Sequence, residues 1–326
     1  MQKSLQLFII RNNELYFIAM SNTQLYHFHT ITEYHRTAGL PKPAHPLVSV
    51  VHMSDLTKPL AEGKFSMIHD YYAISMKRVK NTKFKYGQQA CDFDEGVLFF
   101  TAPGQVFGVE IEKGAAMHQP EGWMILVHPD FLWNTPLAKS IKQYEFFSYS
   151  VFEALYLSDK EETMLNNIAQ NIEQEYYANI DRFSQNVIVA QLELLLTYSE
   201  RFYQRQFITR KVANHELLTK MEDLLTNYFE SGALAQKGLP SVTYIAEQLN
   251  ISPGYLSSLL KSLTGQNTQQ HLHNKLIELA KEKLSTTNLT VSEIAYELGF
   301  EHLQSFSKLF KTKTSLSPLE FRHSFN

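Results

Sequence analysis

The chain has 326 residues, 44% hydrophobic and 19% charged, with a formal net charge of -3. It is too long for one ordinary domain and apolar enough for two sizeable cores. Its single cysteine, Cys91, excludes an internal disulfide and a cysteine zinc cluster and suits a reducing cytosol. The acidic balance means that any contact with nucleic acid must come from local charge.

At the N-terminus, apolar runs from Leu5 to Ile10 and from Leu15 to Ala19 are interrupted by Arg11, Asn12, Asn13 and Glu14. That interruption defeats a signal peptide or membrane span, so a cytoplasmic chain with no membrane partner is expected. Met20 offers an alternative start. We expect 1–44 to be an N-terminal segment, 45–135 a β-barrel, 136–211 a helical dimerisation and linker region, and 217–326 a helical domain. The expected fold class is therefore α+β.

From Leu47 to about Phe131, short segments rich in Val, Ile, Phe and Tyr alternate with turn residues such as Tyr86-Gly87 and Pro103-Gly104. The run Val97-Leu98-Phe99-Phe100 is too uniformly apolar for a surface strand and predicts a sandwiched sheet. Trp123 and Trp133 are candidates to line a ligand cavity, against the commoner use of aromatics as core.

After Pro136 the period becomes helical. Ser158-Asp159 with Glu161 and Glu162 predicts a helix start, and Leu165, Ile168, Ile172 and Tyr176 share its inner face. Between Ser184 and Arg205, Ile188, Leu195 and Phe202 recur every seven residues, with Gln191 and Tyr198 between them. This stripe is either a dimer seam or a cover for the β domain. Arg201 to Lys211 reads as a solvated linker.

The most informative feature is an internal repeat. Ile245-Ala246-Glu247-Gln248-Leu249-Asn250-Ile251 matches Ile294-Ala295-Tyr296-Glu297-Leu298-Gly299-Phe300 at an offset of 49 residues. Beyond the turn the offset is 50: Leu256 pairs with Phe306, Leu260 with Phe310, Lys261 with Lys311, and Gly265 with Ser315. Each copy predicts a short helix, a tight turn and a second helix. Ser252 caps the second helix of the first copy, with Pro253 in its first turn. Gln266 to Leu284 predicts a joining helix, so that two second helices could meet successive major-groove faces about 34 Å apart.

With "IAEQLNISPGYLSSLLK", "LTVSEIAYELGFEHLQSFSKLFK" and the closing "SLSPLEFR", residues 242–322 resemble the AraC/XylS-type transcription regulators. The resemblance implies a sequence-specific transcription regulator, an activator or a repressor, expected to act as a homodimer on double-stranded promoter DNA. It also implies RNA polymerase and a small-molecule effector as further partners. Carried over by position, it implies DNA-facing roles for Gly254, Ser257, Ser258 and Lys261 in the first unit. In the second, the roles fall to Leu303, Gln304, Ser307, Lys308 and Lys311. Ser258 stands where the family often has arginine and Ser315 where it often has glycine, which makes the second unit the better equipped reader. From Ser252 onward eight cations face six glutamates, with Lys308, Lys311 and Lys313 clustered.

The stretch from Gly96 to Phe107 looks like the Pro-Gly turn of the cupin-like sensor barrels of that family, which makes Phe107, with Trp123, a candidate effector contact. Cupin enzymes hold a metal with a His-x-His pair, a following acid and a later histidine. His27-Phe28-His29 and Glu33 have the early spacing, but the pair precedes the expected barrel and Phe107 replaces the later histidine. His45, His52, His69, His118 and His128 are scattered. No nucleophile motif or phosphate loop occurs, so no catalytic residue, metal or cofactor is expected. Two alternatives remain: a cupin-type metalloenzyme fused to a DNA-binding domain, and a ligand-independent regulator whose barrel mediates protein contacts.

Overall fold

The computed structural model describes residues 6–10, 24–56, 63–78, 83–86, 89–92, 96–111, 121–150 and 153–324. The alternative start at Met20 and His118 lie outside them. The chain divides into two compact units, 1–206 and 207–326.

The first unit is built on strands β1 (Gln6–Ile10), β2 (Gln24–Phe28), β3 (Val48–His52), β4 (Gly63–His69), β5 (Tyr72–Arg78), β6 (Lys83–Tyr86), β7 (Gln89–Asp92), β8 (Gly96–Thr101), β9 (Val106–Ile111), β10 (Glu121–Val127) and β11 (Leu155–Tyr156). One sheet runs β1-β9-β4-β2 and the other β11-β8-β5-β10-β3, with β6 and β7 forming a hairpin. Pairing is antiparallel except between β2 and β4, which run parallel with His27 opposite Ile68 and Phe28 opposite His69. The helix α1 (Ile31–Ala38) is capped by the Thr30 side chain.

Side-chain alternation explains the layering. Ala73, Met124 and Leu126 point into a core shared with Phe28, Phe65 and Met67 of the opposite sheet and with Ile31 and Tyr34 of α1. The other face of the second sheet carries Tyr72, Phe100 and Trp123. Phe100 and Tyr72 meet Phe147, and the Trp123 indole N–H donates to Asn166 Oδ1 at 2.8 Å. The run Val97-Leu98-Phe99-Phe100 is sandwiched, as its apolarity required. Trp123 is buried with its polar edge tied to a helix, so it is a packing residue, not a cavity wall. Trp133 is exposed.

Two expectations change here. The N-terminal segment is not separate from the β domain: β2 is an edge strand of its first sheet, so His27 belongs to the sheet and does not precede it. The helices α2 (Leu137–Ser140), α3 (Asp159–Tyr177) and most of α4 (Ser184–Thr209) fall within the first unit. α3 begins where its sequence predicts, with the Ser158 N–H donating to Glu161 Oε2 at 2.9 Å.

Ile188, Leu195 and Phe202 are buried within the unit, and Tyr198 stacks on Phe202. The seven-residue stripe therefore covers the β domain and presents no open seam. Arg201 to Lys211 is no solvated linker either, because α4 continues through Thr209 with Phe202, Tyr203, Gln206 and Phe207 buried. Gln206 accepts from the Tyr156 N–H at 2.9 Å and donates to the Ala154 carbonyl at 3.2 Å, satisfying backbone groups at β11. Arg205 bonds Glu161 and the Tyr156 carbonyl. Charged and apolar residues alternate at helical period, which hides a buried face from a composition-based reading.

The second unit comprises α5 (Lys211–Glu230), α6 (Ala233–Lys237), α7 (Val242–Gln248), α8 (Pro253–Thr264), α9 (Thr268–Thr286), α10 (Val291–Glu297), α11 (Leu303–Thr314) and α12 (Pro318–His323). It has two cores. Met221 and Leu225 of α5 pack with Ile245, Ala246, Leu256, Leu260 and Leu272. Leu234 of α6 packs with Leu276, Ala280, Ile294, Ala295, Leu298, Phe306 and Phe310. The repeated apolar pairs thus build two helix-turn-helix cores bridged by α9.

Candidate nucleic-acid interface

Each helix-turn-helix is fixed by its turn and caps. In the first, Ser241 caps α7 and Ser252 caps α8 by accepting from the Tyr255 N–H at 3.0 Å. Asn250 takes the left-handed conformation, φ 56, at the turn. In the second, Gly299 does so at φ 78, and a Cβ there would lie 2.4 Å from the Leu234 carbonyl oxygen. Only glycine lets α6 approach this closely, which explains why the second copy has Gly299 where the first has Asn250.

Residues of α11 divide cleanly between two faces. Phe306 and Phe310 are fully buried, while Gln304, Ser305, Lys308, Lys311 and Thr312 are exposed on the opposite side. Gln304 and Lys308 are four residues apart and so lie one above the other on one stripe. Ser307 is half-buried, and Leu303 packs partly buried against the second core. Leu303 is thus a correction to the position-by-position expectation: its side chain serves the core. Ser305 was missed because it falls between positions the resemblance marks, although it lies three residues before Lys308 and so shares the outer face.

The α8 surface is more closed. Gly254 and Ser257 are half-buried, and the Ser257 hydroxyl shares a 3.1 Å hydrogen bond with Thr268 Oγ1 at the start of α9. Ser258, two residues on from Leu256 and the repeat counterpart of Lys308, lies on the side of α8 away from Leu256 and Leu260. Lys261 is exposed. The place where arginine would be expected thus carries a small hydroxyl.

Electrostatics sharpen the asymmetry. Lys275 pairs with Glu222 at 3.3 Å and Lys283 with Glu297 at 2.8 Å. Arg322 donates to the carbonyls of Leu284 at 3.3 Å and Leu289 at 2.6 Å, strapping α12 across the α9–α10 link. Lys261, Lys308, Lys311 and Lys313 remain exposed on the two second helices. His273 is held below the ordinary imidazole range by burial first and then by Lys313, so it adds little charge near neutral pH. Backbone N–H bonds in capping boxes hold Glu293 and Glu320 below the usual carboxylate range.

A helix-turn-helix domain family matches residues 245–324, which spans both units described above. The chain is 24% identical over 261 residues to the helix-turn-helix-type transcriptional regulator YfiF of Bacillus subtilis, covering 78% of this chain and 77% of that one. It is 23% identical to the lactose operon transcription activator of Staphylococcus xylosus, covering 71% and 79%. Among solved structures, it is similar to the C-terminal domain of the two-component response regulator yesN from Fusobacterium nucleatum. That likeness has 33% identity, covers 31% of this chain and 96% of that one, and has a TM-score of 0.27.

Fold and site together define a DNA-binding transcription regulator with an N-terminal β unit and a helical DNA-binding unit. Its residues 245–324 carry the helix-turn-helix domain that does the DNA binding. Among the described residues, no helix is long and apolar enough to cross a membrane.

Proposed function

We propose that this protein reads promoter DNA chiefly through α11, with Gln304 and Lys308 contacting base edges and Lys311 a phosphate. α8 docks beside it through Gly254, Ser257 and Lys261. The observation that carries the reading is the division of α11, whose Phe306 and Phe310 anchor one face while Gln304, Ser305 and Lys308 stand open on the other. A rigidly backed helix with polar residues outward is what major-groove readout needs.

Selection of bound duplexes from a randomised pool tests it. The wild-type chain should return one defined site. Gln304→Ala should lose about 1 to 3 kcal/mol and relax preference at one position, whereas Lys261→Ala should weaken all duplexes alike and lower the salt slope by about one. An unchanged site preference in the Gln304 variant would overturn the assignment.

In this reading the first unit senses a small molecule and the chain works as a homodimer. The surface groove between β3 and the α3–α4 region, lined by His45, Phe131, Tyr176, Ile180 and Ile188, supports an effector site there. The effector changes DNA affinity only by its differential affinity for the competent and incompetent states. Activation of transcription is supported by the likeness to an operon transcription activator, and RNA polymerase is the partner such activation would engage. We assign no catalytic step.

A further inference from the structure

We infer that His27, His29 and Asp70 form a surface site for a divalent transition-metal ion of the zinc class. The site lies in the β unit, is independent of the DNA-reading residues, and is not the arrangement expected from the His-x-His spacing, whose acid was Glu33. Glu33 is occupied otherwise, accepting the His29 N–H at 3.0 Å. The acid that meets both rings comes from the end of the neighbouring strand.

The backbone builds the cluster. β2 and β4 run parallel in register, and the Asp70 N–H donates to the Phe28 carbonyl at 3.1 Å, extending that pairing by one step. Alternation along β2 places His27 and His29 on one side of the strand, with the buried Phe28 on the other. The two rings lie with centroids 4.0 Å apart. His27 Nε2 approaches Asp70 Oδ1 at 2.7 Å and His29 Nδ1 approaches Asp70 Oδ2 at 2.7 Å. One carboxylate is thus addressed by two imidazoles through separate oxygens, and the three ligand atoms lie within 4.8 Å of one another. It is the one such group among the described residues.

The donor set selects the ion. Two imidazole nitrogens and one carboxylate oxygen suit Zn2+, Ni2+ or Cu2+, whereas Mg2+ and Ca2+ prefer all-oxygen shells. Bonds of about 2.0–2.2 Å in tetrahedral geometry put neighbouring ligand atoms roughly 3.3 Å apart. The hydrogen-bonded atoms need to part by well under 1 Å, which side-chain rotation of three partly exposed residues supplies. Metal binding displaces the imidazole protons now directed at Asp70, leaves the remaining coordination positions open to water or a small ligand, and ties the end of β2 to the end of β4.

Calorimetric titration of the chelator-stripped full chain with Zn2+ tests the site. One equivalent should bind to the wild type, Mg2+ should not compete, and Asp70→Asn and His29→Ala should each weaken Zn2+ at least tenfold with unchanged circular dichroism. Cu2+ electron paramagnetic resonance gives a readout that does not depend on affinity. Coupling to two imidazole nitrogens is expected in the wild type, and to one in His29→Ala. Equal Zn2+ affinity in wild type and both variants, or a Cu2+ spectrum unchanged by the substitution, would overturn the assignment.

Discussion

Ser315 ends α11 in the left-handed conformation at φ 65, where its repeat partner Gly265 ends α8 at φ 73. For a residue with a Cβ this conformation costs roughly 1–2 kcal/mol, part of which glycine returns as greater freedom of the unfolded chain. Ser315→Gly should therefore raise stability by about 0.5–1 kcal/mol in urea denaturation, and Gly265→Ser should lower it by a similar amount. A lowered midpoint in Ser315→Gly would show that the serine side chain compensates the strain. At this scale the sequence was informative wherever a residue type has one backbone use. The repeat pairs Gly265 with Ser315, and the two share a left-handed helix end. The sequence misled at Leu303, where nothing in it says which side of α11 the side chain takes.

At the scale of elements, the two helix-turn-helix units were legible because the same spacing of apolar residues that forms each helix also forms its core. The β unit was less so. β2 pairs with a strand some forty positions away, and no local pattern encodes that partner. α4 concealed its inner face among charges. The structure also moves the surface through which α4 could meet another copy. Ile188 and Leu195 are inside, while Val187 and Leu194, one position earlier, are 40% and 43% exposed, near exposed Ile180 and Phe183. If the chain dimerises through this edge, Leu194→Glu should shift sedimentation from dimer to monomer, and Leu195→Glu should unfold the unit instead. A Leu194→Glu chain that stays dimeric would place the contact elsewhere.

For the molecule as a whole, one part of the acid sensitivity should originate in a buried polar chain of the β unit. His35 Nδ1 lies 2.6 Å from the Pro41 carbonyl and Nε2 lies 2.9 Å from Ser49 Oγ. The carbonyl can only accept, so Nδ1 carries the proton and Nε2 accepts from Ser49, which also approaches the Tyr176 hydroxyl at 3.5 Å. Burial lowers the His35 pKa, partly opposed by the Pro41 bond. Its neutral form is thus favoured by folding. That stability is fully present above the ordinary imidazole value near 6.5, and is lost as pH falls below it because the unfolded chain takes up the proton first. The thermal midpoint of the first transition should fall between pH 7 and 5.5, and His35→Gln should flatten the decline. An identical pH slope in that variant would exclude His35 as a source.

The strap made by Arg322 has a consequence for the kind of operator this protein can use. Between Leu217 and Asn326 the chain has no other arginine, and this one faces backbone carbonyls. The reading helices therefore carry no guanidinium fork, the group best shaped for the paired acceptors of guanine, whereas the Gln304 carboxamide matches the acceptor and donor of adenine. Operators recovered by selection should show A·T pairs beneath α11; guanine at those positions would mean that Lys308, and not Gln304, leads the recognition.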